Sequence, residues 1–89
     1  TVPAKLQSYM ALQKPIIAFL KGDGAKIIKD SNCGFVEENY NYNNLAKMIQ
    51  KMSNMSGEEL DNLGKNGRSY YDNHFSIEKR KQQLYNLIK

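Results

Sequence analysis

The residues with the strongest physical claim on a ligand stand at the start of the chain. In Thr1-Val2-Pro3-Ala4-Lys5 a proline precedes apolar residues at helical spacing, which marks the first turn of a helix. The opening N–H groups of a helix have no partner within it, and their partial positive charge favours an anion such as a diphosphate. Ala4 is small enough to let a ligand approach, and Lys5 adds a formal cation. A second element lies further on. Gly22-Asp23-Gly24 follows an apolar run that reads as a strand, and ligands of open α/β sheets sit at the carboxyl ends of strands.

Nothing else in the chain forms a catalytic constellation. The single histidine, His74, falls at a predicted helix end beside Phe75, where it serves the last carbonyls and the helix dipole. Ser8 and Ser31 have no histidine in their pattern, and the adjacent pairs Glu37-Glu38 and Glu58-Glu59 read as surface charge. One cysteine, Cys33, excludes an internal disulfide, and one cysteine with one histidine cannot hold a structural zinc. Cys33 therefore reads as a small buried hydrophobe. No metal and no cofactor are expected.

These residues must be held by a modest scaffold. The chain has 89 residues, 40% of them hydrophobic and 25% charged, which suits one globular unit with a limited core. A net charge of +4 permits contact with phosphates, acidic membranes or nucleic acid without choosing among them. The densest basic cluster, Lys79-Arg80-Lys81, reads as the solvated face of a helix. No apolar run approaches the ~20 residues that cross a bilayer.

The periodicity predicts a helix over Thr1–Gln13 with Leu6 and Met10, and Tyr9 beside them, on one apolar stripe, stopped by Lys14-Pro15. Ile16–Leu20 is an uninterrupted apolar run, as in strands buried on both faces of a parallel sheet. A loop at Gly22–Gly24, a helix over Ala25–Asp30, a turn at Asn32–Gly34 and a short strand at Phe35-Val36 complete a parallel βαβ unit. Asn41 caps a helix in which Leu45, Met48, Ile49 and Met52 recur at the helical spacing 0, 3, 4, 7, and the Asn39–Asn44 stretch reads as a loop with its cap. Ser56 and Glu59 have capping-box spacing and open a helix that runs to His74-Phe75. Gly64 and Gly67 inside it predict close helix packing. Ser76 caps a last helix with apolar Ile77, Leu84, Leu87 and Ile88.

Taken in order, these segments resemble the glycosyltransferases of the GT-B fold, family 4 in particular. "PAKLQSYMALQKPIIA" is similar to that family's P-S-K-x-x-E-Y-x-A-x-G-K-P-V-I-A segment. "GDGAKIIKDSNCGFVEENYNYNNLAKMIQKM" resembles its glycine loop, helix, G-x-x-V strand and D-x-x-x-L-A helix. "LGKNGRSYYDNHFS" resembles its G-x-x-G-R ending with F-S. The resemblance implies a truncated Rossmann-like α/β fold: a short parallel βαβ followed by three helices. It implies that residues 1–89 are the C-terminal portion of the nucleotide-sugar-binding domain, with the acceptor domain and the early strands outside the chain.

The resemblance also assigns residues. The backbone amides of Ala4 and Lys5 match those that bind the donor diphosphate. Ser8 takes the place of the second glutamate of an E-x7-E motif, which contacts the nucleotide ribose, and the first glutamate would fall just before Thr1. Gly22, Asp23 and Gly24 match a loop near the donor. The usual glycine of the G-K-P turn is Gln13 here. The implied activity is retaining transfer of a sugar from a nucleotide sugar to a hydroxyl acceptor, in bacterial surface polysaccharide or glycan synthesis. The implied setting is cytoplasmic or peripheral at the inner membrane face. The expected partners are the donor and the rest of the parent enzyme, with no nucleic acid. The 89 residues alone are expected to be inactive and, through an exposed sheet edge, to form a homodimer. The competing reading is a small basic, non-enzymatic α/β interaction module that binds polyanions or a protein.

Overall fold

The computed structural model describes residues 4–75 and 77–88. Along the chain run α1 (Ala4–Ala11), β1 (Ile16–Phe19), α2 (Asp23–Ser31), β2 (Gly34–Glu37), α3 (Tyr42–Ser53), α4 (Gly57–His74) and α5 (Ile77–Ile88). This is an α/β fold of the truncated Rossmann-like kind: a parallel βαβ unit followed by three helices. The strands pair with Ile16 opposite Gly34 and Phe19 opposite Glu37. A Cβ on Gly34 would collide with the Ile16 carbonyl oxygen, so this register needs a glycine there.

Thr1–Pro3, read as the start of this helix, lie outside the described residues, and α1 is described from Ala4. It ends as its sequence dictates, because the proline at position 15 cannot continue a helix. The chain reverses on Gln13, at φ 58°. The Gln13 N–H donates to the Met10 carbonyl at 3.1 Å and the Lys14 N–H to the Tyr9 carbonyl at 3.0 Å. These are the two bonds of a Schellman ending, with glutamine where glycine is usual.

Leu6 and Met10 on α1, Ile16 on β1, Ile27 and Ile28 on α2, and Cys33 make up the buried core. α4 closes it from the other side of α1. A Cβ on Gly64 would run into the Gln13 carbonyl oxygen, and one on Gly67 would lie 3.0 Å from the Cys33 Cβ. The two helices meet closely because α4 has no side chains at those points. Its start carries the full capping box: the Ser56 hydroxyl accepts from the Glu59 N–H at 3.1 Å, and Glu59 accepts from the Ser56 N–H at 2.9 Å. That reciprocal bonding also holds the Glu59 carboxyl below its ordinary pKa, chiefly through the Ser56 N–H.

Two expectations are corrected, and two helices leave their apolar faces open. First, β1 is not covered on both faces: only Ile16 is buried, while Ile17, Ala18 and Phe19 are half-buried. The Ile16 and Leu20 N–H groups donate toward β2, so those of Ile17 and Phe19 face the sheet's open edge. Second, Gly22–Gly24 is not a free loop, since α2 begins at Asp23 and runs to Ser31, two residues earlier and one later than read. Gly24 is buried, and a helical start there closes the chain over the core. On α3 none of the apolar residues at helical spacing is buried. Leu45, Met48 and Met52 are half-buried and Ile49 is exposed, because the small sheet offers too little surface to cover them. On α5, Ile77, Leu84 and Leu87 are exposed, Leu87 at 81%. Ser76, read as the cap of α5, lies outside the described residues.

Candidate functional site

The first turn of α1 sits at the rim of an open cavity of about 290 Å³. Ala4, Gln7, Ser8 and Ala11 form its α1 wall, and Tyr71, Phe75 and Ile77 form the wall across from it. Helical spacing explains the first wall, since residues three and four apart share a face. Leu6 and Met10 on the opposite stripe are pulled into the core and so turn Ala4 and Ser8 outward. The Ser8 hydroxyl donates to the Ala4 carbonyl at 3.1 Å, one turn back. Its oxygen keeps lone pairs with which to accept from a ligand hydroxyl.

Lys5 faces elsewhere. It lines a separate groove of about 240 Å³ that runs with Leu6 and Tyr9 along β1 and reaches Ile28. The structure therefore brings Ala4 and Ser8 together and places the Lys5 side chain on the neighbouring flank of the same helix end. Gly22, Asp23 and Gly24 line neither cavity. Gly22 is instead the N-cap of α2 at φ 85°, a left-handed position that suits glycine, and it supplies no side-chain cap.

Sequence reasoning missed Arg68 as the clamp on this site. Its Nη1 donates to the Ala11 carbonyl at 2.7 Å, its Nε to Asp72 at 3.0 Å, and its guanidinium lies 5.7 Å from the Tyr71 ring centre. One arginine thus ties the end of α1 to the α4 wall of the cavity. The signal was the arginine that follows Gly67, although nothing in spacing alone says which carbonyl it will meet.

Glu37 was read as surface charge and is not. It is 6% exposed at the end of β2. Its carboxylate accepts from the Asn39 N–H at 2.7 Å, the Asn41 N–H at 3.1 Å and the Asn44 side chain at 3.2 Å. The Asn41 and Asn39 backbone bonds hold its carboxyl below the ordinary glutamate pKa. Its neighbour Glu38 forms an ion pair with Lys29. Cys33 is fully buried, and desolvation pushes its thiol above the usual pKa, which suits a packing residue and not a nucleophile. His74 ends α4 with its ring centre 4.0 Å from that of Tyr70. Among the described residues no three His, Cys, Asp or Glu side chains gather as a metal site.

The geometry is that of the first described turn of α1 beside a cavity, on a parallel α/β scaffold. Against known families, the model for glycosyl transferases group 1 matches residues 2–70. The chain belongs to the group 1 glycosyltransferases. No curated protein and no solved structure matches it. The matched span runs from the residues just before α1 to Tyr70 within α4, so it takes in both strands, Ala4, Lys5 and Ser8. α5 lies beyond it. Among the described residues no helix of this glycosyltransferase chain is long and apolar enough to cross a membrane.

Proposed function

We propose that the chain is the C-terminal portion of the donor-binding domain of a family 4, retaining glycosyltransferase. The family match over residues 2–70 carries this reading. The donor is a nucleotide sugar, and its diphosphate rests against the first amides of α1 at Ala4 and Lys5. Transfer builds negative charge on the departing diphosphate. Fixed N–H groups already aimed at it stabilise that charge without reorganising, and the Lys5 ammonium adds to the field. The Ser8 oxygen accepts from a ribose hydroxyl. A neutral hydroxyl holds that group less tightly than a carboxylate does. Gly22, Asp23 and Gly24, at the carboxyl end of β1, stand near the donor. Helix amides and a lysine supply the needed charge, so the reading requires no metal.

The acceptor is a hydroxyl of a growing surface polysaccharide or related glycan, and the setting is the cytoplasm or the inner face of the membrane. The open edge of β1 supports both a larger sheet in the parent enzyme and self-association of the 89 residues. The test is titration of uridine and guanosine diphosphates into the chain, followed at the backbone amides of Ala4, Lys5 and Ser8. Saturable shifts at these three amides are expected. Equal shifts with inorganic phosphate, centred on Lys81 instead, would overturn the donor site.

A further inference from the structure

We propose that Phe19, Lys21, Tyr40 and Tyr42 form a preorganised platform for a saccharide ring at the carboxyl ends of the two strands. Its assignment to the acceptor glycan rests on the glycosyltransferase reading.

The platform is built from residues that are distant in sequence. Phe19 ends β1, opposite Glu37 at the end of β2. The Tyr40 ring meets Phe19 edge-on at 5.1 Å between centres, and the Tyr42 ring stacks on Phe19 at 5.2 Å and 25°. The Lys21 ammonium lies 5.2 Å from the Tyr40 centre. Yet Tyr40 is 51% exposed and Tyr42 76%. Aromatic rings gain most by burial, so a cluster left open at one rim marks a surface that meets something.

The loop that carries Tyr40 and leads into Tyr42, the first residue of α3, is held by hydrogen bonds. The Glu37 carboxylate gathers the Asn39 and Asn41 N–H groups and the Asn44 side chain. The Asn41 side chain in turn accepts from the Asn44 N–H at 3.1 Å and caps α3. Tyr40 is kept at φ 56°, a conformation that non-glycine residues adopt only when their surroundings enforce it. A surface fixed beforehand loses little freedom when a ligand arrives.

The chemistry fits a sugar. A pyranose has a C–H face that stacks on an aromatic ring and a rim of hydroxyls that both donate and accept. Tyr42 offers the ring. The tyrosine hydroxyls, the exposed Asn39 and Asn43 amides and the Lys21 ammonium offer the matching polar rim. A nucleobase also stacks on tyrosine, but its opposite face finds no second parallel ring here, and an amide-rich rim suits vicinal hydroxyls better.

The experiment is an NMR titration of the 89-residue chain with maltotriose, chitotriose and trigalacturonate, read at the Tyr40 and Tyr42 ring protons. At least one saccharide is expected to shift both rings saturably and to show transferred magnetisation to its C–H protons. Tyr42→Ala should weaken that saccharide about five-fold, whereas Tyr42→Phe, which keeps the ring, should stay within about two-fold. Tyr42 is largely exposed, and an unchanged amide spectrum elsewhere will show that the variants fold. No shift with any of the three, equal affinity in Tyr42→Ala, or ring shifts produced only by nucleoside diphosphates would each overturn the platform. The diphosphate site is read separately, at Ala4 and Ser8 in the same samples, so either site can fail alone.

Discussion

Among the described residues three non-glycine residues turn the chain in the left-handed conformation, and apart from Asn32, which ends α2, the other two serve opposite ends. Gln13, at φ 58°, reverses the chain between α1 and β1, beneath α4. Tyr40, at φ 56°, lies in the loop between β2 and α3 and carries an exposed ring. At Gln13 the backbone itself is the contact surface, because Gly64 of α4 rests on the Gln13 carbonyl. At Tyr40 the backbone is held from below by the Glu37 carboxylate, and the side chain is what the loop presents. The first strain serves packing. The second serves display. A left-handed residue therefore says that its surroundings enforce it, and only the partner above or below it says for what purpose.

The largest effect should come from the packing side. Gly64→Ala gains about 1 kcal/mol in helix propensity but forces a Cβ onto the Gln13 carbonyl, for a net loss of about 2 kcal/mol in urea unfolding. A stabilised variant would show that the α1–α4 seam is not a backbone contact. Next is a matched pair. Gln13→Gly relieves the left-handed strain and removes no buried side chain, so it should raise stability by about 1 kcal/mol. Tyr40→Gly relieves the same strain but loses the ring contact with Phe19, and the two should cancel to within about 0.5 kcal/mol. Equal gains from both would erase the distinction between packing and display.

The mildest effect is in pH. The Glu37 carboxyl is held below its ordinary value in the folded chain by the Asn41 and Asn39 N–H groups. Its contribution is complete above the ordinary carboxylate range and disappears as the pH falls through the lowered folded value. Acid should therefore loosen the Tyr40 loop before it touches the seam. Glu37→Gln should flatten the acid limb of the stability profile, with the Asn39 and Asn41 amides as reporters. Simultaneous loss of protection at Leu63 would show that loop and seam open as one unit.

Much of this was legible in the residues. Leu6 and Met10 at a spacing of four, the Ser56–Glu59 box and Gly64 with Gly67 each state a local or pairwise demand, and the structure meets each one. The start of α2 was misread because Gly22-Asp23-Gly24 carries turn signals, while burial of Gly24 and Ala25 favours a helix. Nothing in spacing shows that Glu37 reaches three groups further along the chain, since its neighbour Glu38 has the same chemistry and pairs with Lys29 instead. The apolar pattern of α5 was visible, but its exposure was not. Periodicity states which face of a helix is apolar, not whether another surface exists to cover it.

The sequence by itself determined the order of the elements, the caps of α3 and α4, the family and the apolar stripe of α1, because each is written in residues close along the chain. Tertiary structure alone decided the rest. It placed Lys5 and Ser8 on different flanks of one helix end, set Arg68 on the Ala11 carbonyl, and brought Tyr40 and Tyr42 onto Phe19. Those contacts join positions that meet only after the strands pair in register, and the free energy of such a meeting is written in no short stretch of chain.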